Sequence, residues 1–274
     1  MTFKSFFAPV IVEDEPLSRV AVDFATGLAA TSGGHLQVML GAPRLTAPGG
    51  LLPGQVHAML DAANGDRRNR AEAFRTAIEA APAGAAISSE IVQVPYLAMR
   101  DRLVAGARAS DLVVLAPSGE FLSNRQDIMR AILFGCGRPV LLVPPAWTTQ
   151  PRIQRVVVAW DGGGPAARAL GDAMPFIEAA EQVEIVCFTP DKGKSTDGAS
   201  VAAHVARHNR ATKLSELPIA NGDVGASLRD YAKMTRADLV VMGAYGHSRL
   251  WEMTLGGVTQ TAIENTATPT LVSH

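Results

Sequence analysis

The chain is 274 residues long, 47% hydrophobic and 19% charged, with a formal net charge of −1. That length exceeds the usual single domain and supplies material for a large core. The near-neutral balance argues against a general electrostatic hold on nucleic acid or an anionic membrane, and no apolar run approaches the roughly 18 residues of a transmembrane helix.

The amino terminus has one lysine and a short apolar stretch, so it reads as a first strand and not as a signal peptide. That strand, Pro9-Val10-Ile11-Val12, ends in Glu13-Asp14, and an Ala-rich helix is expected over 17–32. A second strand (36–40), a long helix (about 55–80), a third strand (86–94) and a helix (97–109) follow in turn. Ser110-Asp111-Leu112-Val113-Val114-Leu115 makes a fourth strand, and Pro139-Val140-Leu141-Leu142-Val143 closes the series. The Pro-rich stretch Pro144–Pro151 then reads as a linker, which divides the chain into domains at 1–146 and 151–274.

The second half repeats the plan. Val156-Val157-Val158-Ala159-Trp160 ends in Asp161, and a helix is expected over 165–180. A strand (183–188), a short helix (about 200–208), a strand (213–218) and a helix (224–235) come next. The fourth strand repeats its wording as Ala237-Asp238-Leu239-Val240-Val241-Met242, and Pro269-Thr270-Leu271-Val272 closes the chain. Alternating strands and helices with continuous apolar strands imply parallel sheets covered on both faces, two doubly wound α/β domains in all. Ligands of such folds bind beyond the carboxyl ends of the strands. Asp161 and Gly243 fall at two such ends.

The segment after Met242 carries the densest signal. Gly243 is followed after two residues by Gly246, and after nine more by Gly256 and Gly257. Glycines at a strand end let backbone N–H groups approach a phosphate, and a helix beginning there aims its positive end at the same anion. His247 and Arg249 follow directly; they either neutralise phosphate charge or sit in a solvated loop. Asp161 has two readings, a lining carboxylate or a turn and N-cap acid. Trp160 likewise reads as a base-stacking ring or as packing. Cys136 and Cys187 lie in apolar surroundings without a CxxC pattern, so they read as small buried residues of a protein in a reducing cytoplasm. No HxH, HExxH, P-loop or nucleophile-elbow pattern occurs, which gives no basis for a structural metal or for sustained turnover.

With its two-fold βαβ plan and the frame Gly243-x2-Gly246-x9-Gly256-Gly257, the chain resembles the universal stress protein family in its tandem form. The resemblance implies five parallel strands per domain and pairing of the halves through their last strands, with 140–143 and 270–272 as the edges. It implies ATP, with ADP or AMP as alternatives and Mg²⁺ accompanying the phosphates. Trp160, Asp161 and Gly162 would line the site, Asp223 and Val224 would close the adenine side, and ribose would lie near Met242 and Gly243. Phosphates would lie near Gly246, Gly256, Gly257 and Val258, and Thr259 would stand beside the site, pointing elsewhere on a helix. It further implies a cytoplasmic stress-response role, with a homodimer and a protein partner as possible associations.

Two departures qualify this. Gly257 stands where the family places a serine or threonine, which removes one hydroxyl worth roughly 0.5–1.5 kcal/mol to a phosphate. The first half reads Ala116-Pro117-Ser118-Gly119 after its fourth strand, with Met129 where a glycine belongs. The first half is therefore expected to be a degenerate, non-binding partner. A protein that binds no nucleotide and a slow ATP hydrolase are the alternatives.

Overall fold

The computed structural model describes residues 2–46, 54–80, 84–117, 124–189, 197–219, 222–244 and 267–274. The chain forms two compact units: one runs from Phe3 to Ala116 and takes in the helix at 124–135, and the other runs from Pro139 to His274.

The first unit contains β1 (Ser5–Ile11), a short 3₁₀ turn (Val12–Asp14), α1 (Glu15–Ser32), β2 (His35–Gly41), α2 (Gly54–Glu79), β3 (Ala86–Val92), α3 (Tyr96–Arg108), β4 (Leu112–Leu115) and α4 (Asn124–Gly135). Its strands lie side by side in the order β3-β2-β1-β4. β1 runs parallel to both β2 and β4, and β2 runs parallel to β3. The central strands are apolar along their length because helices cover both faces: all four residues of β4 are buried. Each large aliphatic side chain buried in this way contributes about 1.5–3 kcal/mol. Edge strand β3 instead alternates between exposed and half-buried positions.

The second unit contains β5 (Val140–Leu142), β6 (Arg155–Ala159), α5 (Gly164–Asp172), α6 (Met174–Ala179), β7 (Gln182–Thr189), α7 (Gly198–Ala206), β8 (Thr212–Pro218), α8 (Val224–Thr235), β9 (Leu239–Gly243) and β10 (Thr270–Ser273). Its strand order is β5-β10-β9-β6-β7-β8. The ladders β10–β9, β9–β6, β6–β7 and β7–β8 are all parallel. β5 is the exception: it pairs antiparallel with β10, Val140 beside Val272 and Leu142 beside Thr270. Among the described residues each half of the sequence thus supplies five strands, and the closing strands pair with one another as expected. Cys136 and Cys187 are both buried, and no disulfide joins them.

Most expected elements are found with ends shifted by a few residues, β1 running Ser5–Ile11 and not 9–12, but one element is divided. The single helix over 165–180 breaks at Ala173 into α5 and α6. Pro175 has no N–H to donate and its ring crowds the preceding turn, so the first helix stops and a second starts. The backbone N–H of Phe176 then bonds Ala173 O at 2.9 Å, a tighter turn than the α-helix makes.

The wording shared by the two halves has a structural cause. Asp111 Oδ2 accepts the backbone N–H of Lys4 and of Ser5, each at 2.9 Å. Asp238 Oδ2 accepts those of Gln154 and Arg155 at 2.9 and 2.8 Å. In each unit one carboxylate therefore fastens the amino end of the first strand to the amino end of the fourth. This is the end of the sheet away from the ligand side.

A polar cluster ties α8 to the sheet. Glu184 of β7 accepts the Tyr231 hydroxyl at 2.6 Å and also the hydroxyl of Ser215 on β8. Burial, then the Glu184 bond, raises the pKa of Tyr231.

Candidate functional site

The candidate site is the carboxyl end of the second unit's parallel strands. β6 ends at Ala159, but its ladder continues one residue further, since the backbone N–H of Trp160 donates to Val186 O at 2.8 Å. Asp161 then turns the chain. Its Oδ1 accepts the backbone N–H of Gly163 at 2.8 Å, and Gly162 between them has φ +77°. A side chain rarely adopts that backbone, so glycine is required for the turn. Gly163 caps α5 without a side-chain bond, and Pro165 stands in the first turn. Within the turn and N-cap reading of Asp161, the turn is realised and the helix cap is not. Its side chain is exposed at the strand end.

Gly243 ends β9 beside this turn. A Cβ built on it would lie 2.5 Å from Ala166 N, 2.6 Å from Pro165 C and 2.9 Å from Pro165 Cβ. Those are mostly backbone atoms, which do not move aside cheaply. Gly243 is therefore the position at which the first turn of α5 rests directly on β9, a role that sequence pattern did not reveal.

The register draws further residues to this row. Val158 lies beside Val241, so Trp160, two residues on, comes level with Gly243. Ser273 pairs with Gly243 from the other side. Trp160 Nε1 and Ser273 Oγ are buried with no hydrogen-bond partner among the described residues. A buried polar group left unmatched costs about 1–3 kcal/mol. Ser273 was not singled out in the sequence, because nothing in a closing strand marks which residue ends level with a glycine of the preceding strand.

Asp223 and Val224 stand at the start of α8. Asp223 Oδ1 accepts the backbone N–H of Ala226 at 2.9 Å, and Ser227 Oγ donates to Asp223 O at 2.7 Å, so Asp223 is the N-cap of that helix. Gly222 before it has φ +73°. Met242 lies on the other face of the sheet from Gly243. There, Leu228, Ala232 and Lys233 of α8 join Val240, Met242 and Thr270 around a cavity of about 200 Å³. The structure thus brings Trp160, Asp161, Gly162 and Gly243 together and sets Met242 apart from them. Gly246, His247, Arg249, Gly256, Gly257, Val258 and Thr259 lie outside the described residues. Among the described residues no three His, Cys, Asp or Glu side chains are grouped to hold a metal, and no helix is long and apolar enough to cross a membrane.

Comparison with known proteins agrees with this architecture. Residues 152–274 match the model of the universal stress protein family. A universal stress protein from Archaeoglobus fulgidus DSM 4304 aligns over 98% of this chain and 95% of its own, with a TM-score of 0.72 at 15% identity. A protein of unknown function from Pseudomonas aeruginosa PAO1 aligns over 99% and 92%, with a TM-score of 0.57 at 14% identity. A putative universal stress protein from Pseudomonas aeruginosa UCBPP-PA14 aligns over 99% and 93%, with a TM-score of 0.55 at 15% identity. At such identities the likeness is one of fold. No curated protein matches the chain. Residues 152–274 are therefore a domain of the universal stress protein family, and the residues before them share in its two-domain fold.

Proposed function

We propose that the second domain (151–274) binds one adenine nucleotide at the carboxyl end of its strands, and that the first (1–146) is a partner domain without a nucleotide of its own. ATP is the leading ligand, with Mg²⁺ accompanying its phosphates. Asp161 and Trp160 lie on the β6 side of the bound nucleotide, and Gly243 leads into the glycine frame Gly246, Gly256 and Gly257 that receives the phosphates. The protein then acts as a nucleotide-sensitive regulator in a stress response, in the cytoplasm, with the bound nucleotide shifting the population of a partner-binding state. No residue is assigned to catalysis.

One observation carries this reading. Trp160 Nε1 and Ser273 Oγ, the buried side-chain polar atoms of the second unit that lack a partner among the described residues, fall in one row with Gly243 at the ligand end of the sheet. Buried polar groups ordinarily have partners.

A second reading is favoured by a different observation. Gly243 and Asp161 are each accounted for by local packing and turn geometry with no ligand at all. On that reading the protein is an interaction module. Calorimetric titration of Mg²⁺–ATP into nucleotide-stripped protein separates the two. Saturable binding near one equivalent per chain, abolished in Gly246→Val, supports the nucleotide reading. A folded wild-type chain that binds none leaves the interaction module.

A further inference from the structure

In the first domain the carboxyl ends of three strands are held by α2. This helix has 26 residues, which at 1.5 Å per residue is about 39 Å, against about 23 Å for the seven-residue strands it crosses. Its buried residues, Ala71, Phe74 and Ile78, all belong to its last third. The helix follows β2 and returns antiparallel to it, so its first turns stand at the carboxyl end of the sheet. Its counterpart in the second domain, α7, has nine residues.

Two residues near the middle of α2 hold the ends of three adjacent strands. Beyond β2, Asn64 takes both backbone groups of Leu45: Oδ1 accepts its N–H at 2.8 Å, and Nδ2 donates to its carbonyl at 3.0 Å. Beyond β3, Gln93 Nε2 donates to the Asn64 carbonyl at 2.9 Å. Beyond β1, Arg67 Nε donates to Glu13 Oε1 at 2.7 Å, while Arg67 Nη1 holds the Ala63 carbonyl at 3.2 Å. Glu13 belongs to the acidic pair that ends the first strand, as Asp161 ends the sixth. In the first domain that strand-end acid has a guanidinium from the same chain.

We propose that α2 is a built-in latch over the ligand end of the first domain. Arg67 supplies the cation and Asn64 the backbone partner there, and this end stays shut whether or not nucleotide is present. The inference rests on the reading that ligands of this chain enter at the carboxyl ends of the strands.

Amide hydrogen exchange on the full chain, with and without Mg²⁺–ATP, tests it in wild type and in Asn64→Ala and Arg67→Ala. The Leu45 amide is slowed in wild type equally with and without ATP. It exchanges roughly 10- to 100-fold faster in Asn64→Ala, while the amides of His35 and Asp111, bonded to Lys4 O and Ser5 O, keep their wild-type rates and report an intact sheet. Arg67→Ala raises exchange at Leu45 less, since it leaves the Asn64 pair in place. A Leu45 rate unchanged by Asn64→Ala overturns the latch, and so does slowing at Leu45 when ATP is added to wild type. Failure of the nucleotide reading itself appears elsewhere, as no ATP-dependent change at Trp160–Gly163.

Discussion

Gly243→Ala distinguishes a glycine kept for packing from one kept for a ligand. The added Cβ falls 2.5 Å from Ala166 N and 2.6 Å from Pro165 C, about 1 Å inside ordinary contact. Both atoms belong to the first turn of α5, which is anchored by buried Ala166, Ala169 and Leu170, so the whole helix has to lift off β9. Overpacking of this kind costs about 1–3 kcal/mol, and the upper part of that range is expected where the obstacle is backbone. For a unit running from Pro139 to His274 each kcal/mol lowers the midpoint by about 3–5 °C, so nucleotide-free Gly243→Ala should melt about 6–15 °C below wild type. Thermal unfolding followed by circular dichroism measures this, with Gly162→Ala as a comparison. There the new Cβ meets nothing within 4 Å, and only the φ of +77° is paid for, about 1 kcal/mol. A nucleotide-free Gly243→Ala that melts with wild type would refute the packing argument and return Gly243 to the ligand.

Two further outcomes follow from the fold. Asp238→Ala leaves the N–H groups of Gln154 and Arg155 without their shared acceptor, and Asp111→Ala does the same to Lys4 and Ser5. Each should cost about 1–3 kcal/mol in urea denaturation, and a loss under 0.5 kcal/mol would show that water replaces the carboxylate. Tyr96 has its pKa pushed up to about 12, first by burial and then by Asp127. A raised folded pKa means the stabilising contribution is complete below the unfolded value of about 10 and is lost as pH rises toward 12. Tyr96→Phe should therefore flatten the fall in stability across that window, and ultraviolet titration should show late tyrosinate formation in wild type that is reduced in Tyr96→Phe; identical titration of the two proteins would contradict this.

The repeat was legible because its signals are local. A strand covered on both faces has to be apolar throughout, and Leu112–Leu115 and Leu239–Gly243 show it in four or five consecutive residues. The short wording around Asp111 and Asp238 was visible as well, but its purpose was not, since each carboxylate serves residues 106 or 107 and 83 or 84 positions away. The break before Pro175 was missed, since a single helix was expected over 165–180, although one missing N–H decides it locally. Of the candidate site, the turn at Asp161 was readable, because it too rests on neighbouring residues.

The amino-acid sequence by itself therefore determined the two-fold order of strands and helices, the continuous burial of the central strands and the glycine turn after β6. Each follows from residues within a few positions of one another. The tertiary structure alone decided that Gly243 lies under α5, that Trp160 and Ser273 share its row, and that Arg67 reaches Glu13. Those contacts depend on strand register and on the length by which α2 outruns the sheet. Register and overhang are set by the packing of the whole unit, so no short stretch of sequence carries them.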